Sequence, residues 1–279
     1  VTPAIAAQQR SNIFAANRAR GRLDLAVDGR AGTTRRTRVH ESGSLRVRFP
    51  RIGAGALEAV LVNTAGGMAG GDSFDIHLAI GEKAGLVVTT TAAEKVYRSL
   101  GADTTVNVKI DVAAGAVLSW LPQETIMFNC AKLVRRIEVD LAETARVIVA
   151  EAVVFGRTGM GEAVAQGCLS DQWRIRRAGK LIHAEGLRLD GSIAEKLAAP
   201  AIAKDGVAIA TVFMAPCDDA VVAAVQAIRA RLRGEVGASC WNGHAVVRFC
   251  ASDGAVLRHD LMQVFAALSI APLPRLWVS

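Results

Sequence analysis

The first two thirds of the chain alternate between apolar and polar positions. In TTVNVKIDV, Val106, Val108, Ile110 and Val112 fall on one parity and Thr105, Asn107, Lys109 and Asp111 on the other. That is the two-residue period of a strand with one face buried. Similar runs predict strands at 45–49, 57–62, 74–80, 85–91, 116–120, 134–141, 146–154, 172–176, 181–189, 206–213 and 244–250. Gly-, Asp- or Ala-rich turns separate them, and so many short strands predict an all-β body.

Three segments resemble one another. DVAAGAVLS at 111–119 and DLAETARVI at 140–148 match at an offset of 29, and AIGEKAGLV at 79–87 fits the same frame 32 residues earlier. A strand-turn-strand unit repeated at that length predicts strands stacked in layers, a solenoid-like winding; the other reading is chance likeness among Ala- and Val-rich segments. The period turns helical twice. In PCDDAVVAAVQAIRARLRG, Val221, Val225, Ile228 and Leu232 share a face, Asp218 or Asp219 is placed to cap, and Gly234 closes the end. Leu257, Leu261, Val264, Phe265 and Leu268 mark a second helix over 256–269. We therefore expect one large, mainly β domain over 40–279, with helices near 218–233 and 256–269. A basic, flexible arm and a first strand over 1–39 would precede it.

Composition agrees with a globular chain: of 279 residues, 51% are hydrophobic and 21% charged. No apolar run reaches the roughly 20 residues that cross a bilayer, so the expectation is a soluble protein. The N-terminal stretch carries Arg10, Arg18, Arg20 and Arg22 with no acid before Asp24, and lacks the apolar block of a secretory signal. Five scattered cysteines without a C-x-x-C pair suit reduced thiols and a cytoplasmic setting. The formal charge of +7 raises nucleic acid as a partner. The arginines are dispersed, interleaved aromatics are few and no nucleic-acid motif spacing is present, so an acidic protein partner accounts for the charge equally well.

The glycine run NTAGGMAGGDS at 63–73 is no phosphate loop: Asp72 stands where a Lys would be needed, and the alternating SFDIHLAI follows instead of a helix. It reads as a turn in which glycines supply positive φ or close backbone approach. G-x-S-x-G and H-E-x-x-H are both missing. Cys240 and His244, with His259 or Cys250, could ligate a metal in a metal-dependent enzyme; the other reading is packing, since a turn leading into HAVVRFC need not bring the two side chains together. Single carboxylates at turns or strand ends are a further set: Asp72, Glu94, Glu124, Glu151 and Glu162, with Arg98 and Arg157 close in sequence. They read either as structural ion pairs or as oxygen ligands that hold a divalent cation weakly and let it move on.

The succession AGGMAGGD, TTTAAEKVYRS, WLPQETIMF, FGRTGMGE and LPRLW closely resembles the urease accessory protein family UreD, called UreH in some organisms, over about residues 40 to 279. One departure is Asn63-Thr64-Ala65, where many relatives carry His-Pro or Pro-Pro. The resemblance implies a mostly β fold with two helices. It also implies a non-enzymatic scaffold that binds apo-urease and recruits UreF, which recruits the nickel-carrying GTPase UreG. No tightly bound cofactor is expected: nickel would be transient, and GTP would belong to UreG. An internal nickel passage is implied too, and Asp72, Glu94, Glu124 and Glu162 are its candidates, with Arg98 and Arg157 holding geometry. Leu273, Arg275, Leu276 and Trp277 at the chain end are candidates for docking UreF; folding back onto the core is the other reading.

Overall fold

The computed structural model describes residues 17–50, 56–270 and 272–278. Of the arm and first strand expected over 1–39, residues 1–16 lie outside the described residues. The described chain opens with the antiparallel pair β1 (Arg20–Arg30) and β2 (Thr33–Gly43), then β3 (Leu45–Arg48) and β4 (Leu57–Asn63). The boundary drawn between 39 and 40 falls inside β2. The chain continues through β5 (Ser73–Ile80), β6 (Gly85–Thr90), β7 (Glu94–Val96), β8 (Thr104–Val112), β9 (Val117–Trp120) and β10 (Thr125–Met127). Next come β11 (Lys132–Leu141), β12 (Arg146–Phe155), β13 (Gln166–Arg177) and β14 (Lys180–Ser192).

These strands form two sheets facing each other across a common core. One is ordered β14-β13-β11-β8-β5-β1-β2; the other runs β15-β12-β9-β6-β4-β3 and gains a hairpin at its β15 edge. From β4 to β13 the chain passes alternately from one sheet to the other, so β5, β8, β11 and β13 stack in parallel, as do β4, β6, β9 and β12. Ala79 is the ladder partner of Asp111, and Asp111 of Asp140. The offsets of 32 and 29 seen in the sequence are thus the register between successive coils.

At one end the coils close through short turns at 81–84, 113–116 and 142–145. The turns stack: Lys83 N donates to Ala114 O at 3.1 Å, and Gly115 N to Thr144 Oγ1 at 3.0 Å. At the opposite end the connections are longer, at 64–72, 91–103, 121–131 and 156–165. Here the small strands β7 and β10 continue the ladder, since β10 pairs in parallel with both β7 and β12. The sequence blocks that carry the family resemblance fall largely in these four loops.

The rest of the chain is α1 (Ile193–Ala198), β15 (Ala208–Ala215), α2 (Ala220–Ala227), β16 (Glu235–Trp241), β17 (His244–Ala251), α3 (Gly254–Ala267) and α4 (Arg275–Val278). Helix α2 is shorter than the expected 218–233: it gives way at Ile228 to a single 3-10 turn over Arg229–Arg231. Helix α3 begins two residues earlier than expected, because Asp253 caps it by accepting from Val256 N at 2.8 Å. One apolar core fills the space between the sheets, with Leu23, Leu78, Ile110, Ile137, Val149 and Phe213 in it. A second lies on the outer face of β12, β15 and β17 under α3 and α4, built around Val212, Val247, Leu261, Phe265 and Trp277.

Candidate functional site

Three charged side chains sit in the core between the sheets because they occupy the inward parity of their strands. Arg135 lies in line with Leu133, Ile137 and Val139 on β11, Glu151 with Val149 and Val153 on β12, and Asp171 with Leu169 and Trp173 on β13. Arg135 and Asp171 are direct ladder partners. The guanidinium bridges the two carboxylates: Nη1 donates to Glu151, while Nη2 and Nε donate to Asp171, the latter at 3.1 Å. Trp120 Nε1 completes Glu151 at 2.8 Å, and Trp173 Nε1 completes Asp171 at 3.1 Å. Burial opposes charge on Arg135, but Asp171 and then Glu151 outweigh it and raise its pKa. Burial pushes the Glu151 carboxyl up, with Arg135 pulling it back.

This triad stands between two cavities. The outer one, about 460 Å³, is lined by Arg135, Glu151 and Asp171 at one side and by Glu185, Glu235 and Arg248 at another. Arg248 clamps Glu185 with Nη1 at 2.6 Å and Nη2 at 2.8 Å. Burial raises the Glu185 carboxyl, but His183 and Arg248 outweigh it and hold it down to about 2. The inner cavity, about 70 Å³, is mostly apolar and shares Arg135 and Glu151 with the outer one; Asn63, Gln123, Thr125 and Glu94 add polar groups.

Of the carboxylates singled out in the sequence, Glu94 and Glu151 thus meet in one cavity. Glu94 accepts from Asn63 Nδ2 at 3.1 Å, and burial raises its pKa against that hydrogen bond. Glu124 lies beside it, its backbone carbonyl accepting from Glu94 N at 2.9 Å, and its side chain pairs with Arg258 at 3.2 Å. Asp72 is elsewhere, buried in its own turn, where its oxygens accept from Ala19 N at 2.9 Å and Ala69 N at 2.7 Å. Around it Gly66, Gly67 and Gly71 have positive φ, and a Cβ on Gly67 would stand 2.4 Å from the Tyr97 ring, so the glycine run shapes a turn. Glu162 pairs with Arg157 at 2.6 Å. Arg98 is exposed, and among the described residues it pairs with none of these acids.

The chain end folds back on its own core. Trp277 is buried against Phe265, with ring centroids 5.3 Å apart, and its Nε1 donates to Leu121 O at 2.8 Å. Gln123 and Arg258 donate to the Leu276 carbonyl. Leu273 and Leu276 are half-buried, which leaves Arg275 as the exposed member of the expected docking group.

The candidate metal site at Cys240 and His244 does not assemble. Asn242 and Gly243, with φ of 48° and 75°, form a two-residue hairpin turn that pairs Trp241 with His244 and Cys240 with Ala245. Adjacent residues of a strand face opposite ways. Cys240 therefore packs on the outer core near Cys217, while His244 enters the inner one. His259 reaches Arg231 O, and Cys250 Sγ reaches Ala203 O.

His244 is fully buried, edge-on to Trp241 at 4.3 Å and 5.4 Å from His183, with neither ring nitrogen hydrogen-bonded among the described residues. Burial, then His183, lower its pKa. The unfolded chain therefore takes up this proton first, and stability falls as pH drops below about 6.5 toward the folded-state value. The thermal midpoint is expected to fall on going from about pH 7.5 to about pH 5.5. In His244→Phe the fall should be smaller, and an equal fall in both proteins would remove His244 as the cause.

Similarity to known proteins agrees with this architecture. The profile of the UreD urease accessory protein family matches residues 19–278. A protein of Rhodopseudomonas palustris strain BisA53 described as urease accessory protein UreD is 50% identical over 279 residues, covering 100% of this chain and 97% of that protein. Its namesake from Bradyrhizobium diazoefficiens is 51% identical over 269 residues, covering 96% and 97% respectively. No helix among the described residues is long and apolar enough to cross a membrane. With a family match that runs from β1 to α4 and half of all positions identical to relatives along their length, this chain belongs to the UreD family of urease accessory proteins.

Proposed function

We propose that the chain is a non-enzymatic scaffold of cytoplasmic urease maturation that binds apo-urease, recruits UreF and through it the GTPase UreG, and conducts nickel inward as cargo. The observation that carries the nickel step is the pair of cavities sharing Arg135 and Glu151, with Glu185 and Glu235 on the outer side and Glu94 on the inner. A hard or borderline divalent cation accepts oxygen ligands, and ligands offered one or two at a time bind it weakly enough to release it. Among the described residues no group of three or more His, Cys, Asp or Glu side chains is arranged to hold a metal ion, so this reading rests on transfer between single carboxylates. It narrows the path to Glu94, with Glu124 alongside; Glu151, its oxygens held by Trp120 and Arg135, fixes the wall between the two cavities. Asp72 and Glu162 have their oxygens committed to a turn and to Arg157, and serve the loops.

The test is a maturation assay with the full set of accessory proteins. Glu94→Gln is expected to lower urease nickel content and activity several-fold while the chain still co-purifies with urease and UreF. Unchanged nickel content would remove the passage; lost co-purification would make Glu94 a structural residue.

A further inference from the structure

Nearly all of the net charge of this chain lies on one flank. Residues 17–50 hold nine arginines and three acids, an excess of six in a chain of formal charge +7. The acids are engaged: Asp24 pairs with Arg22 at 2.8 Å, Asp28 accepts from Gly29 N at 3.0 Å, and Glu41 on β2 pairs with Arg48 on β3 at 3.4 Å. On the next strand of the sheet, Asp75 stands beside Arg22 and accepts from Asn107 Nδ2 at 2.9 Å. Strands β2 and β3 form one continuous surface, since Glu41 also reaches Arg46 and the Arg36 guanidinium lies 4.5 Å from the centre of the Phe49 ring. Arg35, Arg36 and Arg38 are exposed and have no acidic partner among the described residues.

The same edge leaves a row of the core unfinished. Ile175, Val139, Ile110, Leu78 and Leu25 are successive ladder partners across the sheet, and all are buried. The next partner, Val39 on β2, is 41% exposed. Strand β2 is the last of its sheet, so every second residue turns its N–H and C=O away from β1, with no strand to meet them among the described residues. Thr37 is bulged out of register, because Arg36 and Arg38 pair with adjacent residues of β1, and the regular edge is therefore residues 38–42. A phosphodiester only accepts hydrogen bonds, so a nucleic acid would satisfy the arginines but leave the edge carbonyls and Val39 without partners. An extended peptide supplies donors, acceptors and an apolar side chain at strand spacing.

We propose that β2 is a docking edge for an extended acidic segment of a partner protein, which adds to the sheet as a further strand beside residues 38–42. An aliphatic residue of the segment covers Val39, and its Asp or Glu side chains pair with Arg36 and Arg38. Charge rules against the chain itself as occupant: a second copy brings its own β2 arginines, and residues 1–16 hold Arg10 and no acid. No β2 residue lines either cavity, so this edge works independently of the nickel passage.

The test is fluorescence anisotropy of the full chain with a labelled, end-blocked peptide that alternates Glu with Thr around a central Val. Saturable binding is expected at low salt. It should weaken at least about tenfold for Arg36→Glu with Arg38→Glu, the scale for reversing paired interface charges. Val39→Asp should weaken it too. Lys180→Glu with Arg188→Glu, an equal charge reversal on β14 at the other edge of the sheet, should leave binding unchanged. All of these side chains are exposed, so the melting curves of the variants are expected to overlay. The same peptide N-methylated at every peptide bond should not bind, because it cannot donate to the edge carbonyls. Full binding by the methylated peptide, or equal losses in both charge-reversal variants, would overturn strand addition at β2. Failure of the unmethylated peptide to bind would overturn the acidic partner. A single-stranded oligodeoxynucleotide that binds more tightly than the peptide through Arg36 and Arg38 would assign the face to nucleic acid instead. A dimer of the unaltered chain that Val39→Asp dissolves would assign the edge to a second copy, and peptide binding that appears only when residues 1–16 are removed would assign it to the chain's own start.

Discussion

Replacing Arg135 with methionine is expected to destabilise the protein by about 3–5 kcal/mol near pH 7, the range for removing one member of a buried ion pair. The substitution keeps most of the side-chain length and removes the charge that Glu151 and Asp171 share. Glu151, already pushed up by burial, then loses the pull of Arg135 and binds its proton more readily in the folded state. A carboxyl whose folded pKa lies above its unfolded value favours folding at low pH and loses that advantage as pH rises. The deficit of the variant should therefore shrink from pH 7 to about pH 5. Adding Glu151→Gln and Asp171→Asn should recover part of the loss, since uncharged amides strand no charge. Urea unfolding at both pH values decides the matter. A loss under about 1 kcal/mol would mean that the three groups are hydrated and the core is not sealed around them.

Trp277→Ala should cost about as much, roughly 3–5 kcal/mol, through cavity formation beside Phe265 and loss of the bond to Leu121 O. Trp277→Phe keeps much of the ring and removes the donor, for a smaller loss of about 1–2 kcal/mol. Arg275→Lys, on the exposed side of the same short helix, keeps the positive charge near buried Glu58 and should stay within about 0.5 kcal/mol. This ordering distinguishes a residue used internally from one offered to a partner. An unchanged melting curve for Trp277→Ala would return the chain end to the role of a free docking segment. Deleting the chain end whole would remove this core side chain together with the exposed ones, so single substitutions are the sharper probe.

The coil was legible in the sequence because its register is written twice. The offsets of 29 and 32 residues recur as ladder partners, and apolar parity marked β8, β11 and β12 closely. Strand β2 escaped because it lies at a sheet edge with nearly every residue exposed, so TTRRTRVHE has no buried face to alternate against. Strand β16 is half-exposed throughout, but the Asn242-Gly243 turn that follows it was a usable hairpin signal. Strands β7 and β10, of three residues each, are shorter than the period test can register. The buried triad was visible in part. Glu151 drew notice as an isolated acid, yet Arg135 passed as one of the dispersed arginines, although LVRRIEVDL places it on the same parity as Leu133, Ile137 and Val139. A charge on the apolar parity of a strand is the signal that finds such residues, and applying it to β13 finds Asp171 as well.

The parallel stacks do not run to bare ends. In one sheet the series β1, β5, β8, β11, β13 is finished by antiparallel β2 on one flank and antiparallel β14 on the other. In the second sheet β3 and β15 do the same for β4 and β12. A coil of identical register would otherwise offer each terminal strand as a template for the next molecule, the route by which layered β-structures grow into fibres. Reversing the strand direction at all four flanks breaks that register, and the Arg-rich, bulged β2 adds charge to one of them. The hairpins that appear to be mere ends of the fold thus act as terminators, fixing the number of coils in the molecule and keeping one copy from continuing into another.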